Sequence, residues 1–209
     1  MNTGGKNNIG NGAIHAILPY LLQEDIFCFL DDDNWYDENH VKYLAEFIQQ
    51  HQLDYAYSLR KVYTSDYQFL CDDNFESLGF WKISATETMS FGKQKYQFST
   101  EDNPHFIDTN TYAITREISF SLSSAWYSGI GNDKQVFNTL LQLNVRGGCT
   151  AKRTAHYKLN SKLKLINTDF VPQEYFWQFF KKKSEEMAKT EMAWSVPTLY
   201  IDGKLIPLT

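Results

Sequence analysis

The chain has 209 residues, 43% hydrophobic and 22% charged, which suits one domain with a sizeable core. A net charge of −5 gives no general electrostatic attraction to nucleic acid, and no apolar run approaches the ~20 residues of a membrane-spanning helix. Cys28, Cys71 and Cys149 are odd in number, widely spaced and without a Cys-x-x-Cys pair, which points to a reducing, cytoplasmic setting and no structural zinc; a peripheral membrane contact stays open.

Met1 to Gly12 is rich in glycine and asparagine and carries no apolar stretch, so no signal peptide is expected. Asn11 is placed to cap a helix over 12–23, with Ile14, Ile17, Leu18, Leu21 and Leu22 on its buried face and Pro19 as a kink or early stop. The run Ile26 to Leu30 predicts a buried strand. Asp37 is placed to cap a second helix that buries Val41, Leu44, Ala45 and Ile48, and Tyr55 to Val62 predicts the next strand. This alternation predicts parallel pairing through right-handed crossovers. The stretch 63–105 is irregular and rich in turn residues, as functional or mobile segments often are. Phe106 to Ile114 then predicts a strand carrying Asp108, Thr109 and Asn110, and Thr115 caps a short helix that reaches Trp126. Asp133 opens a helix over 134–143, Ala151 to Leu159 predicts a strand containing His156, and Gln173 to Thr190 predicts a helix. Asp202-Gly203 is the favoured two-residue turn of a closing hairpin.

The three carboxylates Asp31, Asp32 and Asp33 stand directly after the apolar strand. Unpaired charge is too costly to share its core, so they belong at the strand's C-terminal edge, where open α/β sheets bind ligands. If that segment is extended, Asp31 and Asp33 share one side while Asp32 faces elsewhere. Paired carboxylates are hard oxygen ligands that suit Mg²⁺ or Mn²⁺, although Asp-Asp-Asp-Asn is also turn-forming chemistry. A calcium loop is excluded, because Trp35, Tyr36 and Lys42 occupy its ligand, glycine and glutamate positions.

The order Asn8-x-Gly10-Asn11-Gly12-Ala13, helix, apolar strand, Leu30-Asp31-Asp32-Asp33-Asn34-Trp35, then Phe106-Ile107-Asp108-Thr109-Asn110, Trp126 and Gly131-Asn132-Asp133 resembles family 2 glycosyltransferases of the GT-A fold. The resemblance runs from about Asn8 to Leu159. It implies an α/β fold with a mixed, mostly parallel sheet flanked by helices, and divides the chain into a partial GT-A domain over 1–165 and a helix-and-hairpin extension over 166–209. It implies metal-assisted, inverting transfer of a sugar from a nucleotide-sugar donor to an acceptor hydroxyl, the acceptor being a saccharide, a lipid-linked group or a protein.

Residue by residue, the resemblance makes Asp33 and Asp31 ligands of Mg²⁺ or Mn²⁺ and puts Asp31, Asp32, Asp108 and Asn110 on the donor. Asp133 resembles the family's general base, with helix capping as its structural alternative. His156 resembles a late metal ligand, or is a packed strand histidine near Arg153 and Tyr157. Trp126, Glu76 and Ser77 fall on the acceptor side, Trp126 being equally readable as core. Asp108 also reads as a buried structural acid. Family members begin with an apolar strand and a first βα unit that hold the nucleotide base, followed by a second such unit. Met1 to Gly5 here runs almost directly into the Asn-Gly segment, so that N-terminal half is expected to be missing. A non-catalytic sugar-binding or interaction domain is the rival reading.

Overall fold

The computed structural model describes residues 12–83, 86–91, 93–99, 105–128, 131–159 and 173–209; Asn11, expected as a cap, lies outside them. Helix α1 spans Gly12–Leu21, β1 Ile26–Cys28, β2 Trp35–Tyr36, α2 His40–His51, β3 Tyr55–Tyr63 and β4 Phe69–Asp72. Strands β5 (Thr86–Phe91) and β6 (Gln94–Ser99) form a separate two-stranded sheet among the described residues. Strand β7 (Tyr112–Thr115), helices α3 (Arg116–Ser121), α4 (Ser123–Trp126) and α5 (Asn132–Leu143), strand β8 (Gly147–Lys158), helix α6 (Gln173–Met187) and strands β9 (Thr198–Ile201) and β10 (Lys204–Pro207) follow.

One sheet organises the molecule, in the order β1-β7-β3-β8-β9-β10, with β2 added to β8 and β4 to β3. Helices flank it, so the architecture is the mixed α/β, GT-A-type arrangement that the sequence implies. The expected direct pairing of the first two strands is corrected. β7 lies between β1 and β3 and is antiparallel to both. β1, β3 and β8 therefore run the same way, yet among the described pairings only β3 with β8 is parallel. A return strand inserted between two codirectional ones turns parallel neighbours into antiparallel pairs.

The main core lies between this sheet and α1, α4 and α5, where Phe29, Tyr55, Tyr57, Leu59, Ile114, Trp126 and Phe137 pack together. Leu44 and Ile48 of α2 cover the other face against Ala56 and Ala113. Phe179 and Phe180 of α6 join Val62, Cys71, Phe75 and Leu159. The C-terminal hairpin continues the main sheet, since β9 pairs with β8, and Asp202 and Gly203 take the positive φ values (50° and 73°) of its tight turn.

Three local expectations are corrected. The apolar residues Ile14, Ile17 and Leu21 of α1 face outward, while His15 and Pro19 face in. His15 fits between Phe29 and Trp126, with ring centroids 4.6 and 5.0 Å away, and Ser123 Oγ donates to Ala16 O at 3.0 Å, which fixes that side of the helix inward. Asp37 does not cap α2. The capping position is Asn39, and the Asp37 carboxylate turns to His156 instead. Phe106 to Thr111 is not strand either; Thr109–Thr111 is a single 3₁₀ turn whose capping side chain is Asp108, and β7 begins only at Tyr112.

Candidate active site

Strand β1 ends at Cys28, and its apolar pattern runs on through buried Phe29 to exposed Leu30. The chain then folds into a turn, not an extended segment: Asn34 N donates to Asp31 O at 3.2 Å. Asp31 and Asp33 end half-buried and Asp32 exposed at the tip, so the expected partition of the three carboxylates arises from turn geometry and not from strand alternation. Buried Asn34 anchors the far side of the turn, its Oδ1 accepting from Lys158 N at 2.8 Å.

The near side is held by Asn110. Its Oδ1 accepts from Asp31 N at 2.7 Å, and its Nδ2 donates to Asp31 Oδ2 at 3.0 Å and to Asp108 Oδ1 at 2.8 Å. One amide thus locks the backbone and carboxylate of Asp31 and joins them to Asp108. Asn110 and Asp108, which the resemblance implies as donor contacts, are buried and position the acidic turn from beneath. Asp108 N donates to Ser77 Oγ at 2.7 Å, and the other Asp108 oxygen accepts from Arg60 Nη1.

Arg60 is the hub that the sequence reading missed. Its side chain is fully buried; Nε donates to Asp73 Oδ2 at 2.7 Å, Nη2 to Glu76 Oε2 at 2.5 Å and Nη1 to Asp108. The guanidinium lies over the Tyr157 ring, 4.2 Å from its centroid. Burial alone would lower the Arg60 pKa, but the carboxylates of Asp73, Asp108 and Glu76 raise it well above its ordinary value. Burial pushes the Glu76 carboxyl up, with Arg60 opposing and Asp73 adding to the rise. Asp73 in turn accepts from the backbone N–H groups of Phe75, Glu76 and Ser77 at 3.0, 2.8 and 3.2 Å. Part-buried Glu76 and buried Ser77, expected at the acceptor, are therefore tied into the support around Arg60. An arginine within the apolar run Tyr55 to Val62 was the available signal, because a charge in a buried strand must be paired.

Asp133 stands in the first turn of α5, where Gly131, with φ +75°, occupies the capping position. Its Oδ1 accepts from Lys134 N at 2.8 Å, so it also eases the helix start. Burial, then the negative charge of Asp108, push its carboxyl up to about 6, against the pull of Lys134 and Arg60. Asp108 is thus common to both sides: bonded through Asn110 to the acidic turn, and felt electrostatically at Asp133.

Two predicted members fall elsewhere. Trp126 is fully buried in the main core, 5.0 Å from Phe29 between ring centroids, and cannot meet an acceptor there. His156 has both ring nitrogens engaged, Nε2 with Asp37 Oδ1 at 2.7 Å and Nδ1 with Tyr63 Oη at 3.0 Å, which leaves neither free for a metal. Arg153 Nη2 donates to Asn74 Oδ1. Among the described residues no group of three or more His, Cys, Asp or Glu side chains is arranged as a metal cage. Mg²⁺ characteristically takes one or two carboxylates together with substrate phosphates, so Asp31 and Asp33 carry the type of oxygen ligand that would hold that ion.

Comparison with curated proteins and with solved structures found no match. Comparison with family models found one: the model described as glycosyl transferase family 2 matches residues 5–121, more than half of the chain, and takes in α1, the acidic turn, the Arg60 hub and Asp108–Asn110. On that match, and on an open mixed sheet whose acidic turn sits at the end of β1, the chain belongs to glycosyl transferase family 2.

Proposed function

We propose that this chain transfers a sugar from a nucleoside-diphosphate donor to an acceptor hydroxyl with inversion, Asp133 acting as general base and the Asp31–Asp33 turn holding the donor's diphosphate end. The observation that carries the reading is the shared carboxylate, Asp108, bonded through Asn110 to the acidic turn; its charge adds to burial in pushing the Asp133 carboxyl up. Asp133 takes the proton of the acceptor hydroxyl as its oxygen attacks the anomeric carbon. The bond from that carbon to the diphosphate oxygen breaks, and the nucleoside diphosphate leaves with the electron pair. A carboxyl whose pKa is near 6 is ionised at neutral pH yet more basic than an ordinary aspartate, as this step requires. Asp31, locked by Asn110, and Asp33 would hold Mg²⁺ or Mn²⁺, which when bound supplies Lewis-acid stabilisation of charge on the leaving diphosphate.

Isothermal calorimetry of Mn²⁺ with UDP, GDP or dTDP tests the donor side. The wild-type chain should bind at least one of these pairs, and Asp33→Ala should weaken that binding about tenfold or more, through loss of a charged oxygen ligand. Equal heats in the two proteins would remove Asp33 from the metal role.

A further inference from the structure

A second cluster lies across the sheet from the Arg60 hub. Side chains alternate between the faces of a strand. Arg60 and Tyr157 meet on one face, whereas Lys61, Tyr63, His156 and Lys158 meet the Trp35–Asp37 loop and the β3–β4 turn on the other. His156 stacks on Trp35, with centroids 5.1 Å apart and planes 7° apart. Tyr63 and Tyr67 lean on the same indole at 4.7 and 5.7 Å, and Phe69 meets Tyr63 edge-on at 5.7 Å. The floor of this cluster is fixed. His156 Nε2 donates to the Asp37 carboxylate, and Nδ1 meets the Tyr63 hydroxyl. Its top is open: Tyr67 is 58% and Phe69 57% exposed.

Tyr67 is held there against its backbone preference. Its φ is +61°, the left-handed region that bulky residues avoid at a cost on the order of 1–2 kcal/mol. The turn is closed by Tyr67 N donating to Thr64 O at 3.0 Å and Thr64 N to Gln68 O at 2.9 Å. A glycine or asparagine would meet the demands of such a turn. What tyrosine adds is a ring beside Trp35, backed by Lys158, whose Nζ lies 4.7 Å from the ring centroid and donates to the hydroxyl at 3.2 Å. Around the rings stand the half-exposed Asp37 carboxylate, with Lys61 Nζ 3.9 Å from its Oδ2, and the hydroxyls of Tyr63 and Tyr67. A purely apolar partner would leave these donors and acceptors unmet, and a polyanion would meet Asp37. A neutral sugar answers both, laying C–H faces on the rings while its hydroxyls donate and accept at the rim.

We propose that Trp35, Tyr67 and Phe69, rimmed by Asp37, Lys61 and Lys158, form a platform that binds a neutral oligosaccharide outside the transfer cleft. The turn Asp31–Asn34 is the shared rim of the two sites, tied to the platform by Lys158 N on Asn34 Oδ1. The platform stands on its own geometry; only its use, keeping an acceptor glycan beside the cleft, rests on the transfer reading.

The test is saturation-transfer difference NMR of the chain with chitohexaose, cellohexaose and maltohexaose, in wild type and in the double variant Tyr67→Gly/Phe69→Ala. Glycine accepts φ near +61° without strain, so the Tyr67→Gly change should not lower the melting temperature and a lost signal is not lost folding. At least one sugar should receive saturation from the wild type, and the double variant should bind it about tenfold more weakly. Binding of Mn²⁺ with a nucleoside diphosphate should be unchanged in that variant, which separates failure of the platform from failure of the donor site. No transfer to any of the three sugars, or equal transfer in both proteins, overturns the proposal. So does self-association of the wild type that the double variant abolishes without any sugar binding, because the patch would then belong to a second copy of the chain.

Discussion

Asp133→Asn should lower sugar transfer by about 10²-fold or more while leaving the fold intact. Asparagine keeps an oxygen that can accept from Lys134 N, so the helix start survives, but the group that takes the acceptor's proton is gone. The wild-type rate should fall as pH drops through about 6, where burial and the charge of Asp108 place this carboxyl, because only the ionised form is a base. The same shift makes a second, opposite statement about stability. A carboxyl whose folded pKa lies above its unfolded value is favoured by folding in its protonated form. That contribution is present below the unfolded value and is lost as pH rises through about 6. At pH 7.5 the ionised Asp133 therefore weighs against the fold, and Asp133→Asn should melt no lower than the wild type, the difference vanishing in acid. Initial rates of nucleoside-diphosphate release from UDP-, GDP- and dTDP-hexoses, with melting curves between pH 4 and 8, measure both. Normal turnover in a normally folded variant would leave Asp133 as a helix-start residue.

The acidic turn was legible because three carboxylates cannot follow an apolar strand into a core, and that argument needs no knowledge of neighbours. Asp133 was legible only as one of two things; the structure gives it the helix-start bond to Lys134 N, and the base role is the one proposed. What stayed hidden depended on long-range pairing. Nothing local in Phe106 to Thr111 distinguishes a strand from a 3₁₀ turn; the Asp108 side chain captures the N–H of Asn110 and stops the strand short. Nor could periodicity show that β7 would slip between β1 and β3, since strand order is a property of the whole sheet. The apolar stripe of α1 is visible in the sequence but its orientation is not, because His15 with its two aromatic neighbours outweighs Ile14 and Ile17 in fixing which side turns inward. Arg60 was visible as well. It stood inside a run taken for its apolar residues, and a buried strand with one cation implies carboxylates elsewhere that must come to it. Asp73, Glu76 and Asp108 are those carboxylates, from two segments that the sequence alone could not bring together.

Arg60→Met is accordingly expected to be the most damaging single change to stability, by about 3–5 kcal/mol, the usual cost of removing one partner from a buried ionic group. Methionine keeps much of the volume, so the loss reports charge more than a cavity. Without the guanidinium, buried Asp73 and Asp108 and part-buried Glu76 are left without their shared cation. Arg60→Lys should rescue little, since one ammonium cannot reproduce a planar fork whose Nε, Nη1 and Nη2 serve three different carboxylates. In the variant the Glu76 carboxyl, which burial already pushes up, loses the Arg60 charge that opposes the rise. Its protonation in acid then favours the folded state, and the deficit against wild type should narrow as pH falls from 7.5 to 5. Adding Asp108→Asn to Arg60→Met should recover part of the loss by the same logic, which a defect of packing would not allow. Guanidinium denaturation at the two pH values measures all three effects. A deficit below about 1 kcal/mol, or one that does not change with pH, would mean that the charges are compensated by solvent and not by Arg60. The functional consequence follows along the bonds: Arg60 holds Asp108, Asp108 holds Asn110, and Asn110 holds the carboxylate of Asp31. Arg60→Met should therefore weaken Mn²⁺–nucleoside-diphosphate binding even under conditions where the variant is fully folded, although its side chain is buried beneath the site.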